Sequence, residues 1–263
     1  MTLLIELFSG GLRGDVEMTE IYLAKNHLLL KSGYGNPEMH SHSACHIIIG
    51  LEGDMKVSVN GESAVCRGVI LPSGVDHTVD GFGRPLLVFM FDITSKVSEQ
   101  LTDFKVLKKQ KTERIISAWQ SWESEKNEDA YEDFFAEVMA VLSIREMGSR
   151  VSDERIIAAM HFVKEHLYDD VTVKDAAEAA FLSESRFSHL FREETGIAFS
   201  GYLVIQKVFC AYMRIAEGAS ITEASVAAGF STPSHFATVN KKMFGITARD
   251  LSGDYRLYRL ADI

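Results

Sequence analysis

Between Ile21 and about Asp92 the apolar positions come in short runs broken by turn residues: Leu28-Leu29-Leu30, His46 to Leu51, Lys56 to Val59, Val65 to Leu71 and Leu86 to Phe91. Apolar runs this short, bounded by Gly, Pro and Asn, predict strands rather than helices. Asn60-Gly61 separates two of them and predicts a type I′ hairpin, because both central residues of that turn need positive φ. Several short strands at regular turn spacing predict a small barrel or jelly roll. From about Thr112 to Met147 the spacing becomes helical, with Ile115, Ile116, Trp119 and Trp122 on one stripe and Phe134, Phe135, Val138, Met139, Val141 and Leu142 on another. The acidic stretch Glu123 to Asp129 divides these two helices, and Gly148-Ser149-Arg150 reads as a linker. Beyond Val151 every periodic signal is helical, starting with Ile156, Ile157, Met160, Phe162, Val163 and Leu167 and pausing at Tyr168-Asp169-Asp170.

Two similar passages then follow, about fifty residues apart. In the first, Thr172 and Asp175 have the spacing of a capping box, a small alanine-rich face follows, and Ser183 is placed to cap a second helix whose buried stripe is Phe187, Leu190 and Phe191. In the second, Ser220 and Glu223 repeat the box, Gly229 permits a sharp turn, and Thr232-Pro233 supplies a cap and a proline at the first helical position. Phe236, Val239 and Phe244 face inward there. Each passage is a helix-turn-helix, and Gly201 to Ala216 reads as the long helix between them. The outward faces carry Ser185, Arg186, Ser188, His189 and Arg192 in one unit and Ser234, His235, Thr238, Lys241 and Lys242 in the other. Hydroxyls, imidazoles and cations on such faces suit base edges and phosphates. A plain helical bundle with solvated faces is the competing reading, and the repeated caps and turns weigh against it.

Net charge is −10 over 263 residues, which alone disfavours a polyanionic partner, but the acidity is uneven. Residues 1–149 carry 14 basic and 22 acidic side chains, and residues 150–263 carry 13 and 15. A DNA surface in the second half is therefore a local basic face on a near-neutral domain. Cys45, Cys66 and Cys210 are widely separated and odd in number, which fits a reducing compartment. The start has a short apolar stretch with Glu6 and no basic n-region, and no long uncharged apolar run occurs, so a cytoplasmic protein without a membrane span is expected.

Phe191-Arg192-Glu193-Glu194-Thr195-Gly196, Tyr202-Leu203, Ala228-Gly229-Phe230-Ser231, Ser234-His235-Phe236 and Lys241-Lys242-Met243-Phe244-Gly245-Ile246-Thr247 resemble the signature of the AraC/XylS family of transcription regulators. The resemblance covers about Ile156 to Tyr255. It implies two recognition helices in successive major grooves, with base contacts from Ser185, Ser188, His189, Ser234, His235 and Thr238 and with Arg186, Arg192, Lys241 and Lys242 nearer phosphate. Phe181 stands where the first turn usually has Gly, Ser225 where Ala is common, Asn240 where an aromatic packs, and Ala248 where Pro usually follows Thr. Thr238 and His189 occupy places often held by Arg.

The segment from Gly35 through His40, His42 and His46 to Gly53 resembles the first cupin motif, and Pro72 to His77 resembles the second. In an extended strand residues 40, 42 and 46 share a face, and His77 would join them from a neighbouring strand, as the cupin pattern implies. Four imidazoles would suit zinc, nickel, iron or copper. The familiar cupin site has glutamate where His46 stands. Lining of an effector pocket, or hydrogen bonding in the barrel mouth, is the alternative use.

The sequence thus predicts an α+β chain: a cupin-like β-barrel or jelly roll over residues 1–100 as effector sensor, a helical segment over 101–149, and an all-α DNA-binding domain over 150–263 with two helix-turn-helix motifs. The expected function is a sequence-specific transcription regulator with double-stranded DNA, a small-molecule effector or divalent metal, and RNA polymerase as partners. A homodimer through the Trp119, Trp122, Phe134 and Phe135 stripe is the expected assembly, with intradomain packing as the other fate of those side chains. A metal-dependent cupin enzyme and an interaction protein that does not bind DNA are the alternative functions. No catalytic constellation stands beside the histidines.

Overall fold

The computed structural model describes residues 5–9, 19–24, 27–33, 38–166, 169–244 and 255–260. Leu167, Tyr168, residues 35–37 of the first histidine motif and residues 245–248 of the family signature lie outside them. Among the described residues nine strands come first: β1 (Ile5–Ser9), β2 (Thr19–Leu23), β3 (His27–Ser32), β4 (Cys45–Gly50), β5 (Met55–Val59), β6 (Glu62–Cys66), β7 (Gly68–Leu71), β8 (His77–Asp80) and β9 (Leu86–Phe91). A short α1 (Lys96–Gln100) and β10 (Lys105–Val106) lead to α2 (Lys109–Glu125) and α3 (Glu128–Leu142). Then come α4 (Glu154–Glu165), α5 (Val173–Ala179), α6 (Glu184–Thr195), α7 (Phe199–Ala216), α8 (Ile221–Ala227), α9 (Pro233–Phe244) and a final strand β11 (Tyr255–Arg259).

The larger sheet runs β1-β11-β2-β3-β9-β4-β7-β10 and the smaller β6-β5-β8. Strand alternation sends Leu29, Ile47, Ile49, Leu87, Phe89 and Phe91 of the large sheet to one side, where they meet Trp119, Trp122 and Phe134 of α2 and α3. Leu30, Ile48, Val69, Leu71 and Val88 point the other way and meet Met55, Val57 and Val79 of the small sheet. A sheet covered on both faces explains why β4 is buried along its whole length. The aromatic side chains of the helical segment are therefore spent inside the domain: Trp119 and Trp122 lie 4.9 Å apart, and Trp122 stacks on Phe134 at 5.8 Å. They are not a dimer surface.

The hairpin at Asn60 and Gly61 forms with φ of 49° and 88°, as its turn chemistry requires. The apolar run Val65 to Leu71 is two strands, broken at Arg67, because β6 belongs to the small sheet and β7 to the large one. The largest departure is at the C-terminus. Residues 150–263 are not all-α: β11 crosses back to the N-terminal sheet and pairs antiparallel with β1 and parallel with β2. An unpaired edge at β2 would leave backbone donors and acceptors unmet, and β11 satisfies them. Tyr258 of β11 stacks on Tyr22 at 4.8 Å, and Lys126, paired with Glu20 at 2.7 Å, lies over its ring. The Gly148 to Arg150 linker is also tied down, with the Lys96 amide donating to Gly148 and the Arg150 amide to Thr94. Among the described residues no single helix is long and apolar enough to cross a membrane.

His27 tests how tightly the helical layer is packed on the sheet. Its Nε2 lies 2.6 Å from the Tyr131 hydroxyl and its ring stacks on Phe135 at 4.2 Å. Burial pushes its pKa down to about 3. A histidine in an unfolded chain takes its proton near pH ~6.5, so between there and the folded value the unfolded state binds the extra proton and acid favours unfolding. His27→Gln, which can still hydrogen-bond Tyr131, is expected to reduce the loss of stability with falling pH in that window by up to about one proton. Urea titrations at two pH values inside the window check this, and identical slopes for both proteins would refute it.

Candidate nucleic-acid interface

The two helix-turn-helix units are built by the caps that their sequences call for. At α5 the Thr172 hydroxyl accepts from the Asp175 amide and the Asp175 carboxylate accepts from the Thr172 amide at 2.8 Å, and at α8 Ser220 and Glu223 make the same reciprocal pair. These boxes satisfy helix-end amides that would otherwise lack partners. Ser183 caps α6 and Gly196 ends it with φ of 80°. The Thr232 hydroxyl accepts from the His235 amide at the start of α9. Ala176, Ala177, Phe187, Leu190 and Phe191 form the first core with Phe199 and Tyr202, while Val208, Ala211, Ala228, Phe230 and Phe236 form the second. The 18-residue α7 contributes side chains to both cores and spans about 27 Å, comparable with the ~34 Å helical repeat of duplex DNA.

Once those cores are packed, Ser185, Arg186, Ser188, His189 and Arg192 of α6 are all exposed, as are Ser234, His235, Thr238, Lys241 and Lys242 of α9. All ten residues singled out in the sequence therefore lie on the outward faces of the second helix of their unit. Two are internally engaged: the Thr238 hydroxyl donates to the Ser234 carbonyl, and His235 Nδ1 lies 3.2 Å from the Ser231 hydroxyl. Lys241 reaches across to the N-terminal domain and pairs with Glu38 at 2.8 Å.

The histidines of the β domain also converge, though not as one strand face. Only His46 lies in β4; His40 and His42 precede it, and His40 is brought to His77 by an isolated antiparallel bridge. One ligand atom from each of His40, His42 and His77 lies within 4.8 Å of the other two. His46 stands outside that group, with its ring 4.6 Å from that of His42. Burial lowers all four pKa values, to about 4 for His40 and about 3 for His42, so the imidazoles are neutral. His42 Nε2 and His46 Nδ1 are buried without a hydrogen-bond partner among the described residues.

A cavity of about 450 Å³ lies between the two domains. Leu23, His27, His42, Met90, Phe91 and Asp92 line it from the β side, and Met160, Lys164, Tyr202, Ile205, Gln206 and Phe209 from α4 and α7. Tyr202 is 1% exposed and its hydroxyl has no partner among the described residues, an orphaned polar atom at the wall of the cavity. The sequence singled out Tyr202 as part of a signature and His42 as a metal ligand. That both face one cavity depends on how the domains dock, which no local pattern encodes.

Residues 176–253 match the family model described as a helix-turn-helix domain. The chain is 23% identical over 226 residues to the probable transcriptional regulator LumQ of Photobacterium leiognathi, covering 79% of this chain and 89% of LumQ. It is 29% identical over 101 residues to the regulatory protein PocR of Salmonella typhimurium, covering 38% of this chain and 33% of PocR. Its fold is similar to that of an apo ToxT variant from Vibrio cholerae, with a TM-score of 0.58 at 12% identity over 87% of this chain and 97% of that one. Wild-type ToxT with unsaturated fatty acid bound gives 0.52 at 11% identity, over 87% and 95%. The C-terminal domain is of the AraC type. The chain as a whole is homologous to transcriptional regulators.

This AraC-type domain accommodates its departures from the family pattern locally. Ser225 is buried, but its hydroxyl donates to the Thr222 carbonyl at 2.9 Å, so the extra polar atom is met. Asn240 is fully buried and accepts from the Tyr212 hydroxyl, replacing an aromatic contact by a hydrogen bond. Phe181 is the exception. It takes φ of 53° at the turn where the second unit has Gly229 at 74°, and its side chain is 94% exposed. A left-handed bulky residue is strained and this one recovers no burial. Phe181→Gly is expected to leave the fold intact and raise stability by roughly 0.5–1 kcal/mol, after the greater flexibility of unfolded glycine is discounted. Urea unfolding measures it, and a loss of stability would show that Phe181 makes a contact worth more than its strain.

Proposed function

We propose that the protein is a cytoplasmic, sequence-specific transcription regulator that reads DNA through α6 and α9 and is controlled by an amphipathic small molecule held between its domains. The observation that carries the effector half is the cavity shared by α4, α7 and the β domain, with the unpartnered Tyr202 hydroxyl at its wall. Leu23, Met90, Phe91, Met160, Ile205 and Phe209 supply an apolar lining, and Lys164 supplies a cation. That combination suits a chain with a carboxylate end, the class of ligand carried by the fatty-acid-bound ToxT structure. A molecule contacting both walls binds one arrangement of the domains better than another, and only such a difference can shift their equilibrium. Occupancy of DNA, alone or as a homodimer, and contact with RNA polymerase are the outputs of this reading. The regulator homologues favour it over a cupin enzyme, and the exposed polar faces of both recognition helices favour it over an interaction protein that does not bind DNA.

Base contacts and phosphate contacts separate in mutants. His189→Ala and His235→Ala are expected to weaken specific binding by about tenfold while changing nonspecific binding little, since a base contact contributes on the order of 1–3 kcal/mol. Lys241→Ala is expected to weaken both and lower the salt slope by about 0.9. Selection from a genomic fragment pool at two salt concentrations supplies the sequence for these assays. Equal losses on all sequences for all three variants would refute the assignment of base-reading positions. An unsaturated fatty acid is expected to bind the full chain at one equivalent and shift its DNA affinity, with Lys164→Ala and Tyr202→Phe both weakening the ligand. Calorimetry showing no fatty-acid binding, or equal binding by both variants, would count against the cavity as effector site.

A further inference from the structure

We propose that Lys207 fixes the spacing between the two DNA elements this protein reads, by bracing the second helix-turn-helix unit against the first. The consequence for DNA rests on the DNA-binding reading above; the brace itself does not.

α7 divides its side chains between the units. Phe199, Tyr202 and Leu203 pack in the first core, and Val208, Cys210 and Ala211 in the second. Lys207 stands at the junction, halfway along the helix. Its ammonium donates to the Asp170 carboxylate at 3.2 Å and to the Gly229 carbonyl at 3.1 Å. Asp170 lies in the connection between α4 and α5, and its neighbour Val171 is buried in the first core. Gly229 lies in the turn between α8 and α9, flanked by Ala228 and Phe230 of the second core. Each end of the bridge is thus one residue from packed side chains, so the bridge joins the two cores and not two loose loops.

Gly229 is suited to this contact in two ways. Its φ of 74° disfavours other residues, and a Cβ there would lie 3.2 Å from Lys207 Nζ and 3.4 Å from Lys207 Cε. At the equivalent turn of the first unit Phe181 takes a left-handed φ as well, but it is exposed and no side chain crosses it. The close approach of Lys207 is what distinguishes the second turn. The two bonds of the bridge are unequal. Asp170 is 88% exposed, so its ion pair is weak, whereas Lys207 is 22% exposed and its bond to the Gly229 carbonyl is charge-assisted and partly shielded from water.

The length of α7 sets the distance between the units, and the angle of the second unit about α7 depends on its packing and on this bridge. When α6 and α9 enter successive turns of one groove, a single inserted base pair moves the second element by about 3.4 Å along the axis and about 35° around it. A braced pair of helices cannot follow that shift, and an unbraced pair can. Loss of the bridge relaxes the choice of spacing while each helix still reads its own element.

The duplex recovered from the genomic pool, remade with one base pair added or removed between its elements, tests this on the full chain. The wild type is expected to favour the selected spacing by about tenfold and Lys207→Met by about threefold, a change within the range of one hydrogen bond from a charged donor. Lys207→Arg, with donors for both acceptors, is expected to keep the wild-type ratio. An unchanged ratio in folded Lys207→Met would overturn the proposal. So would a salt slope lowered by about 0.9, which would make Lys207 a phosphate ligand. Should Lys207→Met not fold, the exposed Asp170→Ala takes its place, with about a twofold fall in the ratio expected and no fall overturning the proposal. Spin labels at Ser188→Cys and Ser234→Cys, the three native cysteines being buried, read the brace without DNA. The distance distribution between them is expected to broaden in Lys207→Met and in Asp170→Ala, and equal widths in all three proteins would overturn the brace. A chain for which no duplex is selected would sink the DNA-binding reading, with the spin-label result unaffected.

Discussion

Burial of the large sheet on both faces is the constraint from which the rest of the structure follows. Its strands carry apolar residues at consecutive positions, and such strands cannot leave one side in water. The small sheet covers one face, and α2 and α3, with Trp119, Trp122 and Phe134, cover the other. This demand for cover consumes the aromatic stripe of the helical segment. It also leaves an edge at β2, where β11 inserts and anchors the end of the helix-turn-helix domain in the N-terminal sheet.

The same closure gives the two domains more than a linker in common. The linker backbone is hydrogen-bonded to the segment before α1, β11 pairs with β1 and β2, Lys241 reaches Glu38, and one cavity has walls from both sides. Contacts of different strength thus span one interface. The strand pairing is extensive and the ion pair is exposed and weak, so a ligand with modest binding energy can act on the second without dismantling the first. Under the proposed effector control, what changes is which weak contacts survive, because the capping boxes already fix α5 and α8 within their units.

The orphaned polar atoms give the surfaces their chemical direction. Tyr202, His42 and His46 each bury an atom without a partner among the described residues, and native proteins leave few such atoms. Tyr202 and His42 line the cavity, His42 also belongs to the imidazole cluster, and the His46 ring adjoins that of His42 at 4.6 Å.

Local chemistry in the chain was sufficient for the hairpin at Asn60-Gly61, the capping boxes at Thr172 and Ser220, the turn at Gly229 and the ten exposed polar residues of α6 and α9, because each depends on residues within one or two turns of one another. The same reasoning reached the histidines but placed His40, His42 and His46 on a single strand. In the fold it is the bridge from His40 to His77 that gathers three of them and leaves His46 behind. Nor could periodicity divide the run from Val65 to Leu71 between two sheets, send β11 across to β2, or bring Glu38 to Lys241. Those are choices among distant partners. They are made by which edges and faces remain uncovered once the layers have packed, a quantity that exists only in three dimensions.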